Sequence, residues 1–166
     1  QNGVDAEQLQ HAVSGLDFQV SGRFEWKRLD EGWLIDDSYN ANPGSFRGVL
    51  QSIRFMHPKT PLIAVIGPMA ELGENAEQFH SEVGEVIYHS GCKKLLVLGG
   101  DLGESYLEGW KNAGGPKDDA KRFESLEELQ KDFQQDWDQK SIVLVKGSRS
   151  AAMERFVKAI LNHESE

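Results

Sequence analysis

Leu62-Ile63-Ala64-Val65-Ile66 is an unbroken apolar run of strand length that stops at Gly67. A strand with one wet face alternates apolar and polar residues, so a run with no polar position calls for cover on both faces, as in a parallel sheet sandwiched by helices. The pattern recurs at Leu95-Leu96-Val97-Leu98, which stops at Gly99-Gly100, and at Ile142-Val143-Leu144-Val145, which stops at Lys146-Gly147. Segments of helical period lie between these runs. One covers roughly 75–90, with Phe79, Val83, Val86 and Ile87 on its inner side. Another covers 101–112, with Leu102, Tyr106 and Trp110 four apart, until Gly114-Gly115-Pro116 breaks it. Lys121-Arg122-Phe123 is a fainter strand, and Ser125 with Glu128 has the spacing of a capping box for the helix that follows. Met153, Phe156, Val157, Ile160 and Leu161 form the apolar stripe of a closing helix.

Upstream, Phe24 and Trp26 alternate with Glu25 and Lys27, Asp30-Glu31-Gly32 turns the chain, and Trp33-Leu34-Ile35 returns it. That is a hairpin. Pro43 suits the first position of a helix, where its missing N–H costs nothing, and Asn42 is the natural cap. Phe46, Val49, Leu50 and Ile53 then share one face. Near the start, Asp5 with Gln8, and Val4 with Leu9, signal a short helix continued by Val13 and Leu16. The expected fold class is α/β, a Rossmann-like, doubly wound, mostly parallel sheet with an antiparallel hairpin at its start. Residues 1–22 are expected to form a helix and interdomain linker, and residues 23–166 the domain itself.

Composition narrows the function. With 18 Lys plus Arg against 27 Asp plus Glu, the net charge is −9, so the chain lacks the basic field of a nucleic-acid binder. No stretch approaches the roughly 20 apolar residues that cross a bilayer, and no signal peptide is evident at Gln1. A lone cysteine, Cys92, excludes an intrachain disulfide and reads as structural; a cytoplasmic setting is expected. His11, His57, His80, His89 and His163 show no metal-binding spacing, and His80 reads as a satisfied helix histidine. No phosphate loop of the G-x-x-x-x-G-K-[ST] type and no G-x-G-x-x-G follows a strand, so any triphosphate cradle lies elsewhere.

In open α/β sheets ligands bind beyond the carboxyl ends of the strands. Four polar or glycine-rich clusters stand there: 36–42, 67–73, 99–101 and 146–150. Three of them carry a resemblance. Asp36-Asp37-Ser38-Tyr39-Asn40-Ala41-Asn42-Pro43, Gly67-Pro68-Met69-Ala70-Glu71-Leu72-Gly73 and Lys146-Gly147-Ser148-Arg149-Ser150-Ala151-Ala152-Met153-Glu154 follow one another as in the carboxy-terminal domain of the Mur ligases. The similarity runs from about Val4 to about Ile160. The Tyr-Asn-Ala-Asn-Pro and Lys-Gly-Ser-Arg pieces resemble most the member that adds a dipeptide.

The resemblance implies the third domain of a peptidoglycan-precursor ligase, whose partners are a central ATPase domain and an amino-terminal UDP-sugar domain of the same protein. In that family ATP, with Mg2+ held mainly by the central domain, phosphorylates the carboxylate of a UDP-muramoyl-tripeptide. The amine of D-alanyl-D-alanine attacks the acyl phosphate. Alone, this domain is expected to be inactive. The resemblance assigns Arg23, Asp37, Tyr39 and Asn42 to the nucleotide, with Asp36 able to share the part of Asp37. It assigns Lys146, Ser148 and Arg149, faced by Glu71 and Leu72, to the dipeptide. No catalytic residue and no metal ligand is expected in this domain. A helix start directly after the Lys146 loop would favour an anion further. One departure is Pro68, where the family usually has Asp; proline removes a carboxylate and a backbone donor. Two other readings stay open: a domain of another amino-acid-adding ligase, of folylpolyglutamate or cyanophycin synthetase type, and a stand-alone nucleotide- or peptide-binding module.

Overall fold

The computed structural model describes residues 21–29 and 31–163. The helix expected from Asp5, most of the linker and the turn residue Asp30 therefore lie outside the described residues. The elements are β1 (Glu25–Arg28), β2 (Trp33–Asp37), α1 (Pro43–Met56), β3 (Leu62–Ile66), α2 (Ala76–His89), β4 (Lys94–Leu98), α3 (Asp101–Asn112), β5 (Ala120–Phe123), α4 (Leu126–Asp136), β6 (Ile142–Lys146) and α5 (Glu154–His163). One six-stranded sheet has the order β1-β2-β6-β3-β4-β5. The β1–β2 pair is antiparallel and every other pair is parallel. The expected class, including the opening hairpin, is the one found.

The all-apolar strands divide their side chains between two cores, as the two-residue period dictates. Ile35, Leu62, Ala64, Ile66, Leu95, Val97, Ile142 and Leu144 face α1, α2 and α3, whose Phe46, Ile53, Val83, Ile87, Tyr106 and Trp110 cover them. Leu34, Ile63, Val65, Leu96, Val143 and Val145 face α4 and α5, and meet Leu129, Phe133, Phe156, Val157 and Ile160. Neither face of the central strands is wet. Met153 packs into this second core from just ahead of α5.

Local signals set the helix ends. Asn42 takes an extended φ of −149°, accepts from the Ser45 N–H at 2.8 Å and donates its own N–H to Ser45 Oγ at 3.0 Å, a complete capping box with Pro43 at the first position. Ser125 Oγ accepts from the Glu128 N–H at 3.2 Å at the start of α4. Where α2 and α3 cross, two glycines let the backbones touch. A Cβ at Gly109 would sit 1.8 Å from the Ser81 carbonyl oxygen, and one at Gly84 would sit 2.1 Å from that of Tyr106.

Topology then places the loops. The chain passes from β2 through α1 to β3, leaving a slot that β6, the last strand, fills. Lys146 therefore pairs in register with Asp37 on one side and Ile66 on the other. Three loops far apart in sequence leave the same edge of the sheet side by side.

Candidate functional site

The loop after β2 is fixed from within. Asp36 is 3% exposed, and its Oδ1 accepts from the Ser38 N–H at 3.2 Å and Oγ–H at 2.6 Å. Asp37 points the other way along the edge: Oδ1 accepts from the Phe24 N–H at 3.1 Å, and Oδ2 meets Lys146 Nζ at 2.5 Å. The Tyr39 N–H donates to the Gly22 carbonyl at 2.9 Å, so the entry strand and the β2 loop are stitched together.

Lys146 is 1% exposed and ends β6. Its ammonium donates to Asp37 Oδ2 and, at 2.9 Å, to the Asn40 carbonyl, and it lies 5.3 Å from the Phe46 ring centroid. Burial pushes its pKa down from the ordinary lysine value, and the Asp37 carboxylate beside it opposes that shift. The structure thus aims this cation inward, at the β2 loop. The two serines of the next turn join at 2.9 Å through Ser148 Oγ and Ser150 Oγ.

The β3 and β6 loops are zipped to each other. The Gly67 N–H donates to the Lys146 carbonyl at 2.9 Å, and the Ser148 N–H donates to the Pro68 carbonyl at 3.1 Å. Side chains would block this approach: a Cβ at Gly67 would fall 2.6 Å from Ala151 Cβ, and one at Gly147 2.8 Å from Met153 Cγ. In this ladder position 68 acts through its carbonyl, which proline supplies as well as aspartate would. The β4 loop adjoins the β3 loop through Gly99, where a Cβ would lie 3.3 Å from Pro68 Cδ, and the Gly99 N–H donates to the Phe123 carbonyl of β5 at 3.1 Å.

Arg23 and Arg149, 126 positions apart, converge on one ring. The Arg23 guanidinium carbon stands 4.3 Å from the Tyr39 ring centroid and that of Arg149 stands 5.3 Å away. Both arginines are exposed, and among the described residues neither pairs with a carboxylate. Two guanidinia over one aromatic ring are suited to planar or phosphate-bearing anions.

Of the nine residues singled out, the structure joins Arg23, Tyr39 and Arg149 in one group and Asp37 and Lys146 in another, on adjoining loops. Asn42 stands at the start of α1, its side chain engaged in the cap. Ser148 is 2% exposed. Glu71 is exposed with φ +61°, and Leu72 is half-buried against the core; among the described residues neither is brought into hydrogen-bond contact with the other seven. The non-glycine residues with positive φ among the described residues are Phe24, just ahead of β1 and bonded to Asp37, Glu71 on the β3 loop and Ala152 on the β6 loop, a clustering of backbone strain at this end of the sheet. The expected helix start directly after Lys146 is displaced. A 3-10 turn at Arg149–Ala151 and left-handed Ala152 intervene, and α5 begins at Glu154. Pinning Gly147 and Ser148 to the β3 loop turns the backbone out of the helical path.

Two residues outside the expected site belong to its frame. Phe46 supplies the ring beside Lys146, and His80, fully buried, accepts from the Met69 N–H at 2.9 Å. No periodicity announces His80, because its partner sits on an irregular loop. Among the described residues no three His, Cys, Asp or Glu side chains gather as a metal site. None of their helices is long and apolar enough to cross a membrane.

With this edge assembled, the comparison with known proteins is direct: residues 22–149 match the family model described as Mur ligase, glutamate ligase domain. The chain belongs to the Mur ligase family. Among relatives, the UDP-N-acetylmuramoyl-tripeptide–D-alanyl-D-alanine ligase of Escherichia coli is 36% identical over 144 residues, covering 85% of this chain and 30% of that protein. A crystal structure of MurF from Acinetobacter baumannii superposes with a TM-score of 0.77 at 26% identity, over 96% of this chain and 34% of that one. The MurF ligase of Thermotoga maritima, solved with ADP, gives 0.75 at 24% identity, over 99% of this chain and 35% of that one. The Mur ligase domain described here spans about a third of the length of the curated relatives it matches.

Proposed function

We propose that this chain is the carboxy-terminal domain of a MurF-type ligase, which joins D-alanyl-D-alanine to UDP-N-acetylmuramoyl-tripeptide in the bacterial cytoplasm at the expense of ATP. The observation that carries the reading is the convergence of Arg23 and Arg149 on Tyr39, at the edge where the β2, β3 and β6 loops meet. It stands in a chain 36% identical to a relative that bears that name.

In this reading ATP supplies the phosphoryl group that activates the tripeptide carboxylate, with Mg2+ held by the central domain. The residues of this chain bind and orient. Arg23, at the junction with the preceding domains, takes a nucleotide phosphate, and Tyr39 fixes its guanidinium. Asp37, Tyr39 and Asn42 line the nucleoside side. Arg149 takes the carboxylate of the dipeptide, with Ser148 beside it, and Glu71 with Leu72 faces them from the β3 loop. Lys146 sets the β2 loop through Asp37 and Asn40, so the nucleotide side and the dipeptide side share one fixed frame. Closure of this edge over the ATPase domain would exclude water and hold the amine in line with the activated carbonyl, where orientation alone is worth several kcal/mol.

The test uses the full-length protein that carries this chain, with UDP-muramoyl-tripeptide and ATP. D-Alanyl-D-alanine is expected to drive phosphate release and a mass increase of one dipeptide less one water, while single amino acids such as glutamate do not. Arg149→Ala should raise the dipeptide KM by about tenfold or more, the worth of one charge-assisted contact. Turnover with glutamate or a single amino acid, and none with the dipeptide, would refute the reading.

A further inference from the structure

The stretch 67–75 that carries Glu71 is irregular until the 3-10 turn at Gly73–Asn75, and its ladder to the β6 loop ends at Pro68, so beyond that point something else must set its path. Beneath it lies His80, on α2, with no exposed surface. His80 Nδ1 is 2.6 Å from the Ala76 carbonyl, one turn back. A ring nitrogen facing a carbonyl carries the proton, which leaves Nε2 of the neutral ring as an acceptor. Nε2 receives the Met69 N–H at 2.9 Å. Tyr106 of α3 packs edge-on against the ring, centroids 4.7 Å apart, and its hydroxyl donates to the Gly67 carbonyl at 3.2 Å. The first turn of the loop is thus held at Gly67 and Met69 by side chains from two helices whose crossing is locked by Gly84 and Gly109.

We propose that His80 is the positioning residue of the β3 loop, setting where Glu71 is presented through a hydrogen bond that only the neutral, Nδ1-protonated ring can make. The link to the dipeptide rests on the function proposed above; the anchor does not. A proton on Nε2 would set two donors face to face, His80 Nε2–H and Met69 N–H, and the inner tie of the loop would break.

The surroundings favour the neutral ring. Burial holds the His80 pKa below its ordinary value of 6.5, and the Ala76 carbonyl opposes this in part. Among the described residues no carboxylate pairs with it. Glu71 and Glu74 of the loop and Glu77 of α2 are exposed, Glu82 of α2 pairs with Arg47 of α1 at 3.7 Å, and Tyr106 of α3 is neutral, burial pushing its hydroxyl up. Because the folded ring binds its proton less readily than the unfolded one, the unfolded chain holds more protons just below pH 6.5. Stability is therefore full above that pH and falls as acid protonates the unfolded histidine.

The decisive measurement is nitrogen-15 NMR of the 166-residue chain. We expect the Nδ1–H tautomer, a scalar coupling across the hydrogen bond from Met69 N to His80 Nε2, and loss of both with a midpoint below pH 6.5. His80→Phe, which keeps a ring but no bond, should lower the exchange protection of the Met69 amide by about tenfold, and His80→Gln, which restores a donor and an acceptor, should recover much of it. In the full-length enzyme the same pair should raise and then restore the dipeptide KM, with the ATP KM within about twofold of wild type. An Nε2–H tautomer, a midpoint at or above 6.5, or unchanged Met69 protection in His80→Phe overturns the anchor. If His80→Phe does not fold, the tautomer and coupling of the unmodified chain still decide. A wild-type enzyme that ignores the dipeptide overturns the functional reading instead, and the NMR result then stands or falls alone.

Discussion

Replacing Lys146 by methionine keeps the length of the side chain and removes its charge from a position that is 1% exposed. The ammonium lies 2.5 Å from Asp37 Oδ2, so at an effective dielectric of about 20 the attraction is roughly 6–7 kcal/mol, against a burial penalty of several kcal/mol per ion. The intact pair is close to balanced. The variant is not: among the described residues it leaves the Asp37 carboxylate with the Phe24 N–H alone, and it removes the Lys146 donor from the Asn40 carbonyl. Stranding one member of such a pair costs about 3–5 kcal/mol, which for a domain of this size lowers Tm by roughly 6–20 °C. Urea unfolding of the single variants and of Lys146→Met with Asp37→Asn measures the coupling. Asparagine keeps an acceptor for Phe24 and brings no charge, so the double variant should recover about 2 kcal/mol or more relative to additivity. A loss below about 1 kcal/mol in Lys146→Met, or additive single effects, would show that the buried pair does not hold the β2 loop to β6.

Gly109→Ala should destabilise by about 3 kcal/mol or prevent folding, since the new methyl meets the Ser81 carbonyl oxygen and backbone cannot step aside; Gly48→Ala, with nothing within 4 Å, should stabilise α1 by about 0.5–1 kcal/mol, both read by thermal melts. Asn42→Ala opens the capping box and should cost about 1 kcal/mol in the same assay. The Cys92 thiol is buried and its pKa is pushed up to about 12, so iodoacetamide at pH 8 should label it only in the unfolded chain, as mass spectrometry of native and urea-treated samples would show.

Much of this is legible in the sequence itself. The runs at Leu62, Leu95 and Ile142 have no polar position, and only a two-sided sheet can bury such strands, so the α/β class and the helices between them follow from pattern alone. Asn42-Pro43 and Ser125 announce their helices because a cap is a contact three residues long. The edge loops were legible as candidates for the same reason: polar residues directly after apolar strands. Their company was not. Nothing local says that the last strand slides between β2 and β3, yet that insertion alone puts Lys146 beside Asp37 and Arg149 against the ring of Tyr39. It also sets Lys146, which the resemblance assigns to the dipeptide, against Asp37 and the Asn40 carbonyl, while His80, by sequence one more helix residue, meets the Met69 N–H only because the β3 loop folds back over α2. Periodicity and caps are set by neighbours within one turn or one pleat, so the chain writes them out in order. Strand order and the meeting of distant side chains are set by which surfaces bury each other, and that is settled only when the whole sheet closes.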